Sequence, residues 1–324
     1  MVRKVKKKES HIRKFAALLL MAVIAVFAYK SINTPENQYI FEKEYEDRTT
    51  PAPPSKLESD PPVSIDFDKL SSQNAILIRL KDHTILMQKN SEERIYPASL
   101  TKMMTAIVAI ESLPNLKGKI KLANSTFQGL YEADASMAGF QPGEQVRAID
   151  LLYGVMLPSG AECCIGLAEQ VAGTEQNFVK IMNQKAADLG MNNTHFENAT
   201  GLHNEKHYTT VKDLAVLLSY ALQNDTFREI FTASSHSTPP TNKHPGGITY
   251  YSTMFEKLNN QNIIDGEILG GKTGYTYEAG LCLASLAKVA KQEYILISAG
   301  AQGGPHSEQY NITDALAVYN SIEK

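Results

Sequence analysis

A serine and a lysine three residues apart head a stretch whose spacing predicts a buried helix. After Ser99-Leu100-Thr101-Lys102, the residues Leu100, Met103, Met104, Ile107 and Val108 recur at helical spacing, with Pro97 just upstream and Glu111 and Pro114 closing the run. Residues three apart share a helix face, with Cβ atoms roughly 5–6 Å apart, so the Lys102 amine can reach the Ser99 hydroxyl. A helix this apolar needs other elements packed around it, and the lysine it carries is taken out of water. That disfavours the ammonium and moves the amine toward a useful base. A serine hydroxyl is a weak nucleophile until such a base stands beside it.

The pattern is short and occurs twice. Ser285-Leu286-Ala287-Lys288 also fits, but Leu281, Leu283 and Ser285 alternate as in a strand, so that copy reads as accidental. What singles out Ser99 is the order of two further motifs, Ser159-Gly160-Ala161 and then Lys272-Thr273-Gly274. A rival reading starts from Gly266 to Thr273, which satisfies the phosphate-loop pattern letter for letter. That loop must open a helix, whereas Gly274-Tyr275-Thr276-Tyr277, Gly280 and the alternating run after them read as strand. A zinc site is a third reading, since His195, His203 and His207 lie close together. No H-E-x-x-H is present, and loop-positioning histidines fit the spacing better.

With these motifs the chain resembles the serine-type D-alanyl-D-alanine carboxypeptidases, low-molecular-mass penicillin-binding proteins of the β-lactamase/transpeptidase-like superfamily. The likeness covers roughly residues 65–324. It includes Tyr96-Pro97-Ala98, Leu151 to Gly154 leading into Leu157-Pro158-Ser159-Gly160, Thr194-His195-Phe196 with Gly201-Leu202, His207-Tyr208-Thr209-Thr210 with Asp213-Leu214-Ala215, and Gly271 to Thr276. The resemblance implies that Ser99 attacks the carbonyl between two terminal D-alanines while Lys102 takes its proton, giving an acyl-enzyme that water hydrolyses. It implies that Ser159 relays the proton to the leaving amine, and that Lys272, Thr273 and Gly274 belong to the substrate-binding strand. An ammonium and a hydroxyl at Lys272 and Thr273 suit the terminal carboxylate. The backbone amides of Ser99 and Tyr275 would form the oxyanion hole. The implied partners are the peptidoglycan stem peptide and β-lactam inhibitors, with no metal or organic cofactor.

One position departs from the family pattern. The middle motif usually ends in asparagine, whose amide binds both the lysine amine and a substrate carbonyl; here Ala161 stands there, followed by Glu162. Glu162 or a water could take over that role, or Glu162 could be an ordinary exposed helix residue. The departure keeps open a weakly active or non-catalytic penicillin-binding module. A β-lactamase-like hydrolase is another alternative, because Glu256-Lys257-Leu258-Asn259 superficially resembles its deacylation element. Lying just before Lys272, that stretch reads instead as loop or strand edge.

The 324 residues divide into three parts. Arg3, Lys4, Lys6, Lys7, Lys8, Arg13 and Lys14 precede an apolar run from Phe15 to Tyr29, the layout of an export signal, cleaved or retained as a membrane anchor (residues 1–29). Residues 30–62 are proline-rich and short of aliphatics, which predicts a disordered linker. Residues 63–324 are expected to be the catalytic domain, on the outer face of the cytoplasmic membrane or secreted. Its carboxyl end is expected to come too early for the all-β domain and amphipathic helix that many relatives carry. Residues 74–80 and 84–89 read as an edge hairpin. Residues 150–171, 176–189, 211–222 and 313–322 read as helices, and 281–286 and 293–298 as strands. Helices in the middle, flanked by strands from both ends, predict an α+β domain whose chain ends meet in one antiparallel sheet.

The formal charge is −3, and the first fourteen residues alone contribute +6, so the remainder is acidic and offers nucleic acid no basic patch. Cys163, Cys164 and Cys282 stand in apolar contexts and are expected to be buried small hydrophobes rather than a disulfide.

Overall fold

The computed structural model describes residues 69–259 and 261–322. The expected signal, the whole of the expected linker and residues 63–68 therefore lie outside the described residues. Among the described residues no helix is long and apolar enough to cross a membrane.

Five antiparallel strands form the main sheet: β1 (Asn74–Arg79), β2 (Thr84–Lys89), β7 (Gly266–Thr276), β8 (Gly280–Val289) and β9 (Gln292–Ala301), in the order β2-β1-β9-β8-β7. The amino-terminal hairpin thus pairs directly with the last strand, Ile76 opposite Ile297 and Ile78 opposite Ile295. Two small ribbons, β3 (Lys119–Lys121) with β4 (Gln145–Arg147) and β5 (Ser235–Ser237) with β6 (Thr249–Tyr251), lie in the middle of the chain. The helices are α1 (Lys102–Ser112), α2 (Ala148–Met156), α3 (Ala161–Ala172), α4 (Glu175–Asp188), α5 (Val211–Ala221), α6 (Asp225–Thr232), α7 (Thr253–Leu258) and α8 (Tyr310–Asn320).

Alternation along the strands splits the core in two. Ile76, Ile78, Ala284, Leu286, Ile295 and Ile297 point to the face covered by α1 to α6, whereas Leu77, Leu283, Leu296 and Val289 point to the face covered by α8. Both faces are buried, so the strands read as near-continuous apolar runs. Helix α1 is buried from Lys102 through Ile110 and runs through the larger core. Each large apolar side chain removed from water there contributes about 1.5–3 kcal/mol, enough to hold a lysine in the same helix.

Three expectations are corrected. Residues 150–171 are not one helix: α2 ends at Met156 and α3 begins at Ala161. Leu157 still has helical angles, but Pro158 after it lacks a backbone donor to continue the ladder, and Ser159 adopts a left-handed backbone (φ 68°). The break also places Ser159 and Gly160 in a tight turn, where the Gly160 N–H donates to the Gly154 carbonyl (2.8 Å). The stretch Glu256 to Asn259 is neither loop nor strand edge; it closes α7, which Asn259 ends in a left-handed conformation. Glu256 is exposed there, while Met254 packs beneath Gly271 of β7. The last helix begins at Tyr310, three residues earlier than its periodicity suggested.

Candidate active site

Ser99 sits half-buried on a 3-10 turn, Ala98–Thr101, that runs straight into α1. The turn is held from two sides. Gly274 of β7 lies against it so closely that a Cβ there would stand 3.1 Å from the Ser99 nitrogen. Gly201, itself left-handed (φ 81°), would drive a Cβ to 1.9 Å from the Ala98 carbonyl oxygen. Ala98 is left-handed too (φ 46°), a strained conformation for a residue with a side chain, which this packing enforces.

The motif residues converge on Ser99. Lys102 Nζ donates to Ser99 Oγ at 3.0 Å, and Ser159 Oγ donates to the same oxygen at 3.0 Å. Lys272, 1% exposed on β7, directs its Nζ to the Thr273 carbonyl (2.8 Å). Burial pushes the Lys102 amine below its ordinary pKa, against a smaller upward pull from Cys164 and Glu162. Burial lowers Lys272 well below the ordinary lysine range, and the charge of Lys102 adds to the effect. Among the described residues no carboxylate pairs with either lysine. Two buried lysines without a carboxylate partner suit the approach of an anion.

Further contacts complete the site. The Thr200 carbonyl accepts from Lys102 Nζ at 2.7 Å. It is fixed by Asn198, whose Oδ1 takes the N–H groups of Thr200 (3.2 Å) and Gly201 (2.7 Å), and by Glu175 and Thr105, which hold the N–H and carbonyl of Ala199. Glu162 is not an exposed helix residue. It is fully buried, with Oε1 accepting from the N–H groups of Ala138, Gly139 and Phe140 at 2.7, 2.9 and 3.3 Å. Glu162 therefore clamps the segment alongside the Ser159 turn instead of replacing the missing amide. The methyl of Ala161 packs with Leu130 and Ile165, and its N–H donates to Ser136.

The three histidines take separate positions. His195 meets Glu197, His203 faces Glu278, and the buried His207 bonds Thr101 Oγ1 at 2.9 Å. Its Nδ1 accepts the Glu197 N–H (3.3 Å), so Nε2 carries the proton and donates to the residue next to Lys102. Burial, with His195 and His203 nearby, pushes the His207 pKa down to about 4. An unfolded chain would bind this proton near pH 6.5 and the folded one does not, so stability is expected to fall as pH drops from about 6.5 to 4, by about 3 kcal/mol in all. Urea unfolding of the wild type and His207→Gln at pH 7 and 4.5 checks this: the variant should lose the larger part of the pH dependence, and parallel curves would contradict it. Cys163, Cys164 and Cys282 are all buried and free. Residues 266–276 form a strand, not a phosphate loop opening a helix.

The sheet joined from both chain ends, with the serine turn between α1 and the edge strand β7, defines the DD-transpeptidase-like fold of penicillin-binding proteins. The Streptomyces K15 DD-transpeptidase superposes with a TM-score of 0.71 at 27% identity, over 79% of this chain and 98% of its own. A D-alanyl-D-alanine carboxypeptidase from Mycobacterium tuberculosis gives 0.70 at 25% identity, over 81% and 95%. Residues 59–303 match the D-alanyl-D-alanine carboxypeptidase family, peptidase family S11, and the chain belongs to that family. In sequence it is 35% identical over 252 residues to the D-alanyl-D-alanine carboxypeptidase DacF of Bacillus subtilis, covering 76% of this chain and 61% of that relative. It is 32% identical over 211 residues to the D-alanyl-D-alanine carboxypeptidase of Streptomyces sp. strain K15, covering 63% and 72%. The chain thus spans less than two thirds of the Bacillus relative's length.

Proposed function

We propose that this protein is an exported serine D-alanyl-D-alanine carboxypeptidase that removes the terminal D-alanine of peptidoglycan stem peptides and is acylated by β-lactams. The observation that carries the reading is Ser99 Oγ, 3.0 Å from both a buried lysine amine and a second serine hydroxyl. Ser99 Oγ attacks the penultimate carbonyl and passes its proton to the neutral Lys102 amine. The developing oxyanion takes the N–H groups of Ser99 and Tyr275. Ser159 hands the proton on to the departing D-alanine nitrogen as the C–N bond breaks, leaving an ester on Ser99. Water then adds to that ester, and its proton returns through Lys102 to Ser99. The substrate's terminal carboxylate lies against Lys272 and Thr273, which supplies the negative charge that Lys272 otherwise lacks. Export rests on the basic and apolar amino-terminal sequence.

D-alanine release from a stem pentapeptide tests the reading: the wild type should release it with or without a chelator and Ser99→Ala should not. Equal release by Ser99→Ala would overturn the serine mechanism, and loss of release with the chelator would point to a metal. Ala161 bears on rate. Lys102 is already held by the Thr200 carbonyl, and the Ala161 methyl fills an apolar cluster. Ala161→Asn is therefore expected to change the acylation rate by no more than about threefold. A gain of about tenfold or more would show that an amide is missing from the site.

A further inference from the structure

At the far end of the main sheet from Ser99, two hairpin turns and two helices enclose a cavity of about 720 Å³. The β1–β2 turn supplies Lys81 and His83, the β8–β9 turn Lys291, the last turn of α5 Ser219, and α6 Arg228. The Leu80 N–H ties the two turns together by donating to the Glu293 carbonyl (2.9 Å). The cavity touches β9 at Gln292 and Glu293, whereas β9 reaches the level of the catalytic groove at Ser298, opposite Leu283 and, through it, Thr273. Five residues of strand separate the two places by about 17 Å, so the cavity is no part of the reaction site.

Its charge is one-sided. Arg228 pairs with the Glu293 carboxylate, and Asp82 on the adjoining turn is taken by Arg79. Lys81 and Lys291 are exposed and have no carboxylate partner among the described residues. Lys291 is held in a left-handed conformation (φ 69°), as is Ala290 before it (φ 47°), in a two-residue hairpin turn that usually calls for Asn-Gly.

Beneath these cations lie polar atoms with nothing to bind. Ser219 is 2% exposed, and its Oγ makes no hydrogen bond, although a helical serine can close back on the carbonyl four residues before it. Nδ1 of His83, whose backbone is left-handed as well (φ 58°), is likewise buried without a partner. Such atoms are few in a folded protein, because each has given up its bonds to water. Ser219 shares a helix face with Gln223, which also lines the cavity. A rotation about χ1 therefore turns the Ser219 hydroxyl to a ligand without breaking any hydrogen bond.

We propose that this cavity binds a phosphate group, carried by a small molecule or as the free ion. A phosphate monoester has close to two negative charges at neutral pH, which matches Lys81 and Lys291. Its tetrahedral oxygens accept donors arriving from two turns and two helices, where a planar carboxylate engages fewer, and the Arg228 guanidinium suits the same group. The volume falls within the roughly 300–1,000 Å³ of small-molecule sites and leaves room beside the phosphate for a carrier.

Calorimetric titration of the full chain at constant ionic strength, with glycerol 3-phosphate, inorganic phosphate and acetate as probes, tests the assignment. At least one phosphate probe is expected to bind with Kd below about 1 mM, and acetate at least about tenfold more weakly. Tighter binding of the ester would support a carried phosphate, and equal binding of the two would support the free ion as occupant. Replacing both lysines, Lys81→Gln with Lys291→Gln, should weaken phosphate binding by about tenfold or more. Ser219→Ala should weaken it by about threefold or more while leaving the melting temperature at or above that of the wild type, since the hydroxyl it removes bonds nothing. No saturable binding of either phosphate, acetate binding as tightly as phosphate, or an affinity that neither the lysine nor the serine variant moves would overturn the assignment.

Discussion

Lys102→Met is expected to slow acylation of Ser99 by about a thousandfold while leaving the fold in place. Methionine is unbranched and only one atom shorter, so it fills most of the same space, but it takes no proton and the Ser99 hydroxyl is left at its free reactivity. Two opposing terms bear on stability. Removing an amine that burial has already pushed below its ordinary pKa is favourable, whereas the Thr200 carbonyl loses its 2.7 Å donor, a loss worth about 1–3 kcal/mol for a buried acceptor. The terms are comparable, so the melting temperature should stay within about 5 °C of the wild type. In the wild type the acylation rate should fall as pH drops through the Lys102 pKa, because the protonated amine cannot act as base. Burial moves that limb below the position an exposed lysine would give. Stopped-flow acylation by a chromogenic cephalosporin measures both quantities; a Lys102→Met rate within about tenfold of the wild type would remove lysine from the role of base.

The second large effect is expected far from any side-chain chemistry. Gly201→Ala places a methyl 1.9 Å from the Ala98 carbonyl oxygen on a backbone with φ 81°. A left-handed alanine alone costs about 1–2 kcal/mol, and the clash must be relieved by moving either the Thr200 carbonyl or the serine turn. A loss of at least about 3 kcal/mol, or about 6–12 °C in melting temperature, follows for a domain of this size. Acylation should drop by about a hundredfold or more in the protein that remains folded, since a shift of about 1 Å in the nucleophile suffices for that. Thermal unfolding and acylation of the same sample check both; a variant that melts and reacts like the wild type would show that the loop is not packed against the nucleophile.

These two predictions mark what was legible in the sequence. The meeting of Ser99, Lys102 and Ser159 was legible because side chains carry motif letters, and Met103 to Val108 showed that the lysine would be buried. The Thr200 contact could not be found, because a backbone carbonyl has no letter; only the Gly201-Leu202 pair, within the family likeness, marked the place. The role of Glu162 stayed open for a related reason, since the N–H groups that hold it come from residues 138–140, more than twenty positions away. The α2 to α3 break was read through because apolar residues continue from Leu151 to Ala168, although Pro158 and Gly160 were there to punctuate them. With six residues, α7 is less than two turns and has too little periodicity to be seen.

Covalent capture at Ser99 Oγ is the most direct measure of a serine acyl-enzyme. Incubating the protein with a fluorescent penicillin and mapping the modified peptide by mass spectrometry is expected to place the adduct on Ser99 in the wild type and to find none in Ser99→Ala. An adduct on another residue, or no adduct on a folded wild-type protein, would contradict it.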